Sequence, residues 1–261
     1  MTHCLILAAG EGKRLRPLTN DSPKSLVELL EKPIIKYQID TLKAVGIKDI
    51  GIVTGYKAEK FLPFGFKTYH NEFYNFTNMV RSLFTARPFL EQVEEDIIIT
   101  YGDIVYEKKN LEILLSTQGD VVTMIDDGWI DLWSARNENP LSDAETLKYD
   151  KQGHIIELGK KPKSLSDIKG QYTGLTKVSY QKVPSFISFY DNLNDKILYD
   201  GQSFNQMYMT SLLQLMINDG WKIVPAHVNH GWLEIDTVKD LRLYERLSRE
   251  GKLNKLWRVN A

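Results

Sequence analysis

The sequence predicts an α/β fold whose parallel sheet is covered by helices on both faces. Short apolar runs alternate with segments of helical periodicity through the first half of the 261-residue chain. Repetition of strand, helix and strand of this kind is typical of parallel sheets buried on both sides. A chain of this length that is 43% hydrophobic and 26% charged can also bury a substantial core.

The elements of the first half follow from this pattern. Helices are expected between Pro33 and Gly46, which bracket apolar residues at helical spacing, and over 77–90, with Thr77 as the N-cap. Buried strands are expected at 3–8, 49–54, 66–70, 96–101 and 120–125.

The second half begins with a segment of mixed polar and aromatic residues, 126–170, which predicts an insertion at the edge of the sheet with a hairpin around Lys151-Gln152-Gly153. A strand at 171–179 then returns to the core. Further helices are expected at 184–193, 203–218 and 237–249, and further strands at 223–228 and 232–235. No internal repeat or flexible linker interrupts the chain, which predicts a single domain over 1–261.

Charge and cysteine content exclude several classes of protein. The 33 basic and 34 acidic residues give a net charge of −1, which argues against a nucleic-acid binder. No apolar run reaches the length of about 18 residues that a membrane span needs, so no membrane association is expected. The single cysteine, Cys4, excludes an internal disulfide and a cysteine-based zinc site. The N-terminus lacks the features of a signal peptide, so a cytoplasmic enzyme is expected.

The strongest functional signal is the glycine-rich string LAAGEGKRLRPLT at 7–19, followed by Pro23 and Lys24. Glycines directly after a buried strand let the backbone approach a ligand closely, and successive amides can cradle phosphate oxygens. Leu15 replaces the third glycine of a dinucleotide fingerprint, and no P-loop G-K-[ST] follows. The four nearby cations suit a triphosphate that releases pyrophosphate; they are Lys13, Arg14, Arg16 and Lys24.

This string closely resembles the signature of the nucleotidyltransferases that join a nucleoside triphosphate to a sugar phosphate or phosphocholine. The resemblance implies a Rossmann-like mixed, mostly parallel sheet, Mg²⁺ as cofactor, and catalytic roles for Arg14 and Lys24. It also predicts a nucleotide site formed by Leu7, Ala8, Ala9, Gly10, Gly12, Lys13, Arg14, Lys24, Gly55, Thr77, Asn78 and Gly102. The expected organisation is a nucleotide-binding half at 1–125, an acceptor-binding insertion and return strand at 126–180, and completing elements at 181–261.

Two aspartates far apart in sequence are predicted to hold the metal ion. Asp103 follows a buried strand at its carboxyl end, where open α/β sheets place ligands, and Asp236 directly precedes a helix. Mg²⁺ is often held by one or two carboxylates together with phosphate oxygens and water. The alternatives are a turn residue at Asp103 and a helix N-cap at Asp236. His227 and His230 lack the partners of a zinc site.

Several later segments resemble the cytidylyltransferase branch whose acceptor is phosphoglutamine, which implies CTP and L-glutamine phosphate as substrates; they are TNMV at 77–80, NPL at 139–141, DAETLK at 143–148, IELGKK at 156–161 and MYMTS at 207–211. Lys160-Lys161-Pro162 stands where the sugar-phosphate branch usually has Glu-Lys-Pro, which favours a more anionic acceptor. The predicted acceptor contacts are Arg136, Glu157, Lys160, Lys161, Tyr172 and Gly174, with Arg136 and Asn78 on the carboxylate and amide of the acceptor.

Other functions stay open from the sequence. Phosphocholine would need an aromatic cage, for which Trp129, Trp133 and Tyr172 are available beside Asp143 and Glu145, although such aromatics more often pack against the sheet. Aminophosphonates, hexose 1-phosphates and a nucleotide-binding regulator without catalysis are further alternatives. A homodimer is also possible if a C-terminal helix buries an apolar face against a second copy; that face would contain Leu253, Leu256 and Trp257.

Overall fold

The computed structural model describes residues 2–259. Its strands, β1 to β13 in chain order, are His3–Ala8, Glu28–Leu29, Lys32–Pro33, Ile50–Thr54, Lys67–His70, Ile97–Tyr101, Ile104–Tyr106, Val121–Asp126, Leu147–Tyr149, Ile155–Leu158, Gln171–Val178, Ile223–Val228 and Trp232–Glu234. Its helices, α1 to α8, are Ile34–Ala44, Met79–Thr85, Arg87–Leu90, Lys108–Ser116, Trp129–Arg136, Val183–Asp191, Met209–Asn218 and Val238–Arg249.

Nine strands form one sheet in the order β5-β4-β1-β6-β11-β8-β12-β10-β9. β1 pairs in parallel with β4 and β6, β4 with β5, and β8 with β12. β11 runs antiparallel to β6 and β8, and β10 runs antiparallel to β12 and β9. Seven strands therefore point in one direction and only β10 and β11 in the other, which confirms the predicted mixed, mostly parallel sheet.

Both faces of this sheet are covered by helices. Along β1, Cys4 and Ile6 pack into the layer of α1, α4, α5 and α8, while Leu5 and Leu7 pack into the layer of α2, α3, α6 and α7. Successive side chains of a strand point to opposite faces, so burial on both sides requires a continuous apolar run. This requirement is why β1 was recognisable from its sequence.

Two predicted helices are shorter than their patterns suggested. The segment 77–90 divides at Ala86 into α2 and α3, because Pro88 lacks the N–H that a continuous helix would need. Asn78 is the N-cap of α2, since its side-chain oxygen accepts from the Met79 N–H at 2.9 Å, so the assignment of this cap to Thr77 was wrong. Similarly, α7 covers only the second part of the predicted helix at 203–218.

The insertion lies at the edge of the sheet as predicted, with β9 and β10 as an antiparallel hairpin around Lys151-Gln152-Gly153. It also contains α5, a helix that the sequence pattern did not predict. Trp129 and Trp133 of α5 are buried, and the ring of Trp133 stacks on Trp232 with 5.9 Å between centroids. These tryptophans therefore pack in the core and do not form a cage for a quaternary ammonium.

The C-terminal apolar residues are buried within the chain, so the dimer face predicted from them was wrong. Helix α8 ends at Arg249, and Leu253 begins a separate 3-10 turn. Trp257 is only 2% exposed, and its ring meets Tyr37 edge to face at 5.2 Å. Leu256 is buried as well, which leaves no apolar face here for a second copy. Within residues 2–259, none of the helices has the length and apolar character to cross a bilayer.

Candidate active site

The loops after β1 and β6 border a cleft at the carboxyl edge of the sheet. From β1 the chain continues to β4 and β5 on one side and later returns to β6 on the other side. Open α/β sheets bind ligands where the strand order reverses in this way. The cleft has a volume of about 340 Å³, within the range of roughly 300–1,000 Å³ that small-molecule sites occupy.

The glycine-rich loop after β1 forms one wall of this cleft. Gly12 has a left-handed backbone with a φ of +66°, and a Cβ at this position would lie 2.8 Å from the Cβ of Lys24. Glycine is therefore required both for the conformation and for the close approach of Lys24. A 3-10 turn at Lys13–Leu15 buries Leu15 and leaves the side chains of Lys13 and Arg14 exposed. The loop is thus anchored by Leu15 and presents cations at the cleft.

Asp103 and Asp236 meet in the cleft with the ammonium of Lys24 between them. Lys24 Nζ lies 2.5 Å from Asp103 Oδ2 and 2.7 Å from Asp236 Oδ1. Arg14 Nη1 lies 2.5 Å from Asp236 Oδ2. Burial on its own would lower the pKa of Lys24, but the charges of Asp103, Asp236 and Glu234 outweigh it and raise that pKa. Lys24 therefore stays protonated at neutral pH and neutralises part of the carboxylate charge.

Local structure explains how both aspartates reach the cleft. The N–H of Gly102 donates to the Leu7 carbonyl at 2.9 Å, which holds the loop carrying Asp103 against the end of β1. Before α8, Thr237 is the N-cap and forms a capping box with Asp240. The alternative interpretation of Asp236 as the helix cap was therefore wrong, and its carboxylate points to the cations of the cleft instead.

Most of the residues predicted for the nucleotide and the metal line this one cleft. Gly55 does not, because it lies behind the wall, where a Cβ would be 2.6 Å from the Ala9 carbonyl oxygen. Nucleotide contacts by the lining residues remain predictions. The predicted residues that line the cleft are Leu7, Ala8, Ala9, Gly10, Gly12, Lys13, Arg14, Lys24, Thr77, Asn78, Gly102, Asp103 and Asp236.

The return strand β11 brings Tyr172 and Gly174 next to Tyr101, which lines the cleft. The rings of Tyr101 and Tyr172 are 5.8 Å apart and nearly perpendicular, at 89°. Gly174 has a φ of +81°, and a Cβ there would lie 2.5 Å from the ring of Tyr101. Gly174 therefore shapes the cleft indirectly, by allowing Tyr101 to pack on the backbone of β11.

Arg136 does not face the cleft, which corrects the expectation that it contacts an acceptor. Its side chain is buried, with Nε 3.0 Å from Asp240 Oδ1 and Nη1 2.9 Å from Glu234 Oε2. Burial alone would lower the pKa of Arg136, but Glu234 and Asp240 raise it, so the guanidinium stays charged. Helix α5 directs this residue between β13 and α8, where it holds two acidic side chains in place.

The other predicted acceptor residues of the hairpin lie outside the cleft lining. Glu157 Oε1 is 2.8 Å from Lys148 Nζ, and Glu157 Oε2 is 3.6 Å from Lys160 Nζ. The hydrogen bond from Lys148, together with the charges of both lysines, lowers the pKa of Glu157. Lys161 is exposed in the loop that follows. Contacts of Glu157, Lys160 and Lys161 with an acceptor remain predictions.

Residues 3–120, which include the glycine-rich loop and Asp103, match the nucleotidyl transferase family model. The chain is also 42% identical over 254 residues to a CTP:phosphoglutamine cytidylyltransferase of Campylobacter jejuni, covering 92% of this chain and 98% of the relative. The chain belongs to the nucleotidyl transferase family. The resemblance seen in its motifs is thereby confirmed.

This nucleotidyl transferase has further relatives. A choline-phosphate cytidylyltransferase of Streptococcus pneumoniae is 37% identical over 107 residues, which cover 40% of this chain and 45% of the relative. The solved CTP:phosphocholine cytidylyltransferase of Streptococcus pneumoniae has a TM-score of 0.67 at 22% identity, covering 95% of this chain and 99% of that one. An inositol-1-phosphate CTP transferase of T. maritima has a TM-score of 0.72 at 20% identity, covering 99% and 98%. The two solved structures, at 22% and 20% identity, show that the fold is shared.

The carboxylate pair of the nucleotidyl transferase fits a divalent cation. One oxygen of Asp103 and one of Asp236 accept hydrogen bonds from the same ammonium group of Lys24, so the pair already binds one positive charge. Asp103 Oδ1 is buried without a hydrogen-bond partner, which leaves one more oxygen to serve as a ligand. Mg²⁺ commonly takes one or two protein carboxylates and completes its shell with water and substrate phosphates. Among the described residues no cluster of three or more His, Cys, Asp and Glu could hold a metal, so the carboxylate pair would rely on water and substrate phosphates for its remaining ligands.

Several residues of the cleft were not singled out from the sequence. Glu11 and Ser25 adjoin the recognised motif, and Tyr101 precedes Gly102, so their positions in the sequence were the available signal. Tyr74 and Asn75 lie in an irregular segment before α2, where no periodicity indicates which side chains face inward. The remaining two are Met79 and Ser82 of α2.

Proposed function

We propose that this enzyme transfers CMP from CTP to the phosphate of a small phosphorylated metabolite, with L-glutamine phosphate as the first candidate, and releases pyrophosphate. The observation that carries the proposal is the 42% identity to a CTP:phosphoglutamine cytidylyltransferase across 98% of that relative. The shorter match to a choline-phosphate cytidylyltransferase also supports CTP as donor. The cleft supports it chemically, because cations and a carboxylate pair meet at one edge of the sheet.

In the proposed complex the triphosphate lies along the glycine-rich loop, and residues 1–125 supply most of its contacts. The acceptor is bound on the side of the insertion and return strand, 126–180, and residues 181–261 complete the site. This division rests on the position of Tyr101 between the two sides, since it lines the cleft and packs on Gly174 of β11.

In the proposed reaction an oxygen of the acceptor phosphate forms a bond to the α-phosphorus of CTP. The bond between the α-phosphorus and the bridging oxygen breaks, and its electron pair leaves with pyrophosphate. A phosphate monoester such as phosphocholine has a second pKa of about 6, so the attacking oxygen of an acceptor of that kind is largely deprotonated at pH 7 and needs no general base. Lys24 and Arg14 supply positive charge where the leaving pyrophosphate accumulates negative charge.

Asp103 and Asp236 would hold Mg²⁺, which when bound supplies further charge neutralisation for the phosphates. Lys24 lies between the same two carboxylates, so its ammonium would need a new anionic partner when the pair holds a metal. The triphosphate provides that partner within the same cleft.

Phosphocholine is the second candidate acceptor. The negative charge of the cleft residue Asp236 contributes to a raised pKa of Asp143 in the insertion. The charge of Glu145 likewise contributes to the raised pKa of Tyr101, which lines the cleft. This acidic surrounding favours an acceptor with a cationic group over a hexose phosphate, whose sugar ring is uncharged. Of the three aromatic residues predicted for a choline cage, Trp129 and Trp133 are buried in the core, which leaves Tyr172.

The test is pyrophosphate release from CTP, UTP, dTTP, GTP and ATP with Mg²⁺ and L-glutamine phosphate. We expect release with CTP alone, and the same assay with phosphocholine, an aminophosphonate and a hexose 1-phosphate ranks the acceptors. Turnover with another nucleotide in preference to CTP would refute the donor. Absence of release with every acceptor, while CTP still binds, would favour a nucleotide-binding regulator.

A further inference from the structure

Glu145 is held rigidly in the insertion by the side chain of Gln171. The Gln171 amide accepts from the Glu145 N–H at 3.0 Å and donates to the Glu145 carbonyl at 2.6 Å, as a neighbouring strand would. Gln171 is itself buried at the start of β11. Both backbone groups of Glu145 are therefore fixed, and the direction of its side chain is set by the fold.

Glu145 lies beside the two tyrosines at the cleft, because its partner Gln171 directly precedes Tyr172, whose ring is 5.8 Å from that of Tyr101. Burial is the main reason that the pKa of Tyr172 rises to about 12, and the negative charge of Glu145 adds to this rise. Glu145 acts in the same direction on Tyr101, which lines the cleft. Glu145 thus belongs to the proposed acceptor side of the site. From the sequence it was considered only as an acidic neighbour of an aromatic cage.

The charged groups that act on this carboxylate are all acidic. Burial raises the pKa of Glu145 to about 7, and Glu234 of β13, Asp143 of the same loop and Asp200 of the 199–202 turn add to the rise. Among the residues that the structure describes, no cationic side chain and no hydrogen-bond donor is paired with the carboxylate of Glu145. A half-buried carboxylate without a partner is costly in an isolated protein.

Four other acidic residues of the site and the insertion each form an ion pair with a cation. Asp103 and Asp236 have Lys24 and Arg14, Glu234 has Arg136, and Glu157 has Lys148. Glu145 differs from these four because it is partly buried and forms no ion pair, and its partner Gln171 precedes Tyr172, whose ring packs on the cleft residue Tyr101. The missing cation is therefore expected to arrive with a ligand.

We propose that Glu145 determines acceptor specificity by binding a cationic group of the acceptor, such as the ammonium of a phosphorylated amino acid. This assignment rests on the proposed function, since it takes the 126–180 side of the cleft as the acceptor site. An ammonium gains most from a carboxylate that is partly withdrawn from water and held in place. A hexose phosphate offers no such charge and leaves Glu145 unpaired.

The proposal predicts that binding of a cationic acceptor releases a proton from Glu145. Near pH 6.5, below the pKa of about 7 of free Glu145, part of the protein carries a proton on this carboxyl. A bound cation favours the ionised form, so binding expels that proton and the affinity for a cationic acceptor rises as the pH increases towards 8. The acceptor phosphate titrates as well, so the quantity to compare is the difference between wild type and Glu145→Gln.

The experiment is calorimetric titration of the complete protein with Mg²⁺ and a non-hydrolysable CTP analogue. The titrants are L-glutamine phosphate and its analogue without the α-amino group, each measured in two buffers of different ionisation enthalpy. We expect wild type to prefer the amino form by roughly 30-fold, the loss typical of a buried charge left unpaired. Glu145→Gln should abolish this preference and the associated proton release, while Glu145→Asp should retain part of both.

The matched control is Asp195→Asn, which removes one exposed charge from the segment that also carries Asp200. A preference that persists in Glu145→Gln would overturn the assignment, as would a wild type that binds both ligands equally. Failure of every cationic ligand to bind, phosphocholine included, would overturn it as well. Because binding is measured without turnover, a protein that discriminates as expected but releases no pyrophosphate would refute the proposed function alone.

Discussion

The carboxylates of the cleft and the carboxylate of Glu145 in the insertion differ in what neutralises them. In the cleft, Asp103 and Asp236 are bridged by Lys24, with Arg14 on the second aspartate. In the insertion, the charged groups that act on Glu145 are all acidic.

The difference indicates which charges each end is built to receive. Lys24 and Arg14 can neutralise the aspartates in the free enzyme and can turn to phosphates when these enter, because each carries its charge on a long stem with several rotatable bonds. The insertion supplies no equivalent cation to Glu145. At Asp103 and Asp236, a metal ion can therefore replace the protein's cations, which then bind the phosphates. The side of the insertion is suited to a ligand that brings its own positive charge.

The largest effect is expected from breaking the bridged pair. Asp103→Asn or Asp236→Asn should lower kcat by roughly 1,000-fold, the upper order for removing one electrostatic group from an active site. Thermal melting should remain close to wild type, since the amide keeps the shape of the side chain. Steady-state pyrophosphate release measures the effect, with Asp120→Asn of the exposed Asp120–Lys182 pair as control. Near-normal kcat in both variants would remove the pair from the metal site.

A second test concerns Arg136, whose burial places it in neither end of the cleft. Arg136→Met should lower the free energy of unfolding by about 3 kcal/mol, because Glu234 and Asp240 lose the cation that neutralises them. Urea denaturation measures this loss. Lys182→Met, which breaks an exposed pair, should cost less than about 1 kcal/mol. Unchanged stability combined with a raised acceptor KM would instead restore Arg136 as an acceptor contact.

Arg136 also shows where inference from sequence ends. The apolar runs of β1 and β6 and the glycine-rich loop are local signals, so the sheet, the loop and the position of Asp103 could be predicted. The partners of Arg136 are 98 and 104 residues away, in elements whose packing no local pattern records. The predicted contact with an acceptor carboxylate was therefore based on the type of residue alone, and the structure instead pairs Arg136 with two acidic side chains of the protein.

Glu145 illustrates the same limit from the opposite direction. Its significance lies in the partner that it lacks, and the absence of a partner is a property of three-dimensional surroundings. The hydrogen bonds between Gln171 and the backbone of Glu145 join residues that are 26 positions apart. Asp200, whose charge also acts on Glu145, belongs to another segment. The sequence could include Glu145 in an acidic string, but it could not distinguish Glu145 from the paired Glu157.

A third test asks whether Lys24 and a metal ion share the aspartate pair. Lys24→Met should leave both carboxylates without this cation, so Mn²⁺ should bind the nucleotide-free protein more tightly, as measured by electron paramagnetic resonance. The same variant should lower kcat by about 100-fold, because the leaving pyrophosphate loses a cation. Lys36→Met, which removes a cation paired with Asp40 on α1, is the control. Unchanged Mn²⁺ affinity would contradict the competition.

The smallest effect is expected at Glu157, the paired counterpart of Glu145 in the same insertion. Glu157→Gln breaks ion pairs with Lys148 and Lys160, both of them substantially exposed, so stability should change by less than about 1 kcal/mol. Because these lysines already satisfy Glu157, the acceptor KM should stay near that of wild type. If Glu157→Gln raised the acceptor KM as much as Glu145→Gln does, the ion pairs of Glu157 would not distinguish its role from that of Glu145. The prediction that Glu157 contacts the acceptor would then stand.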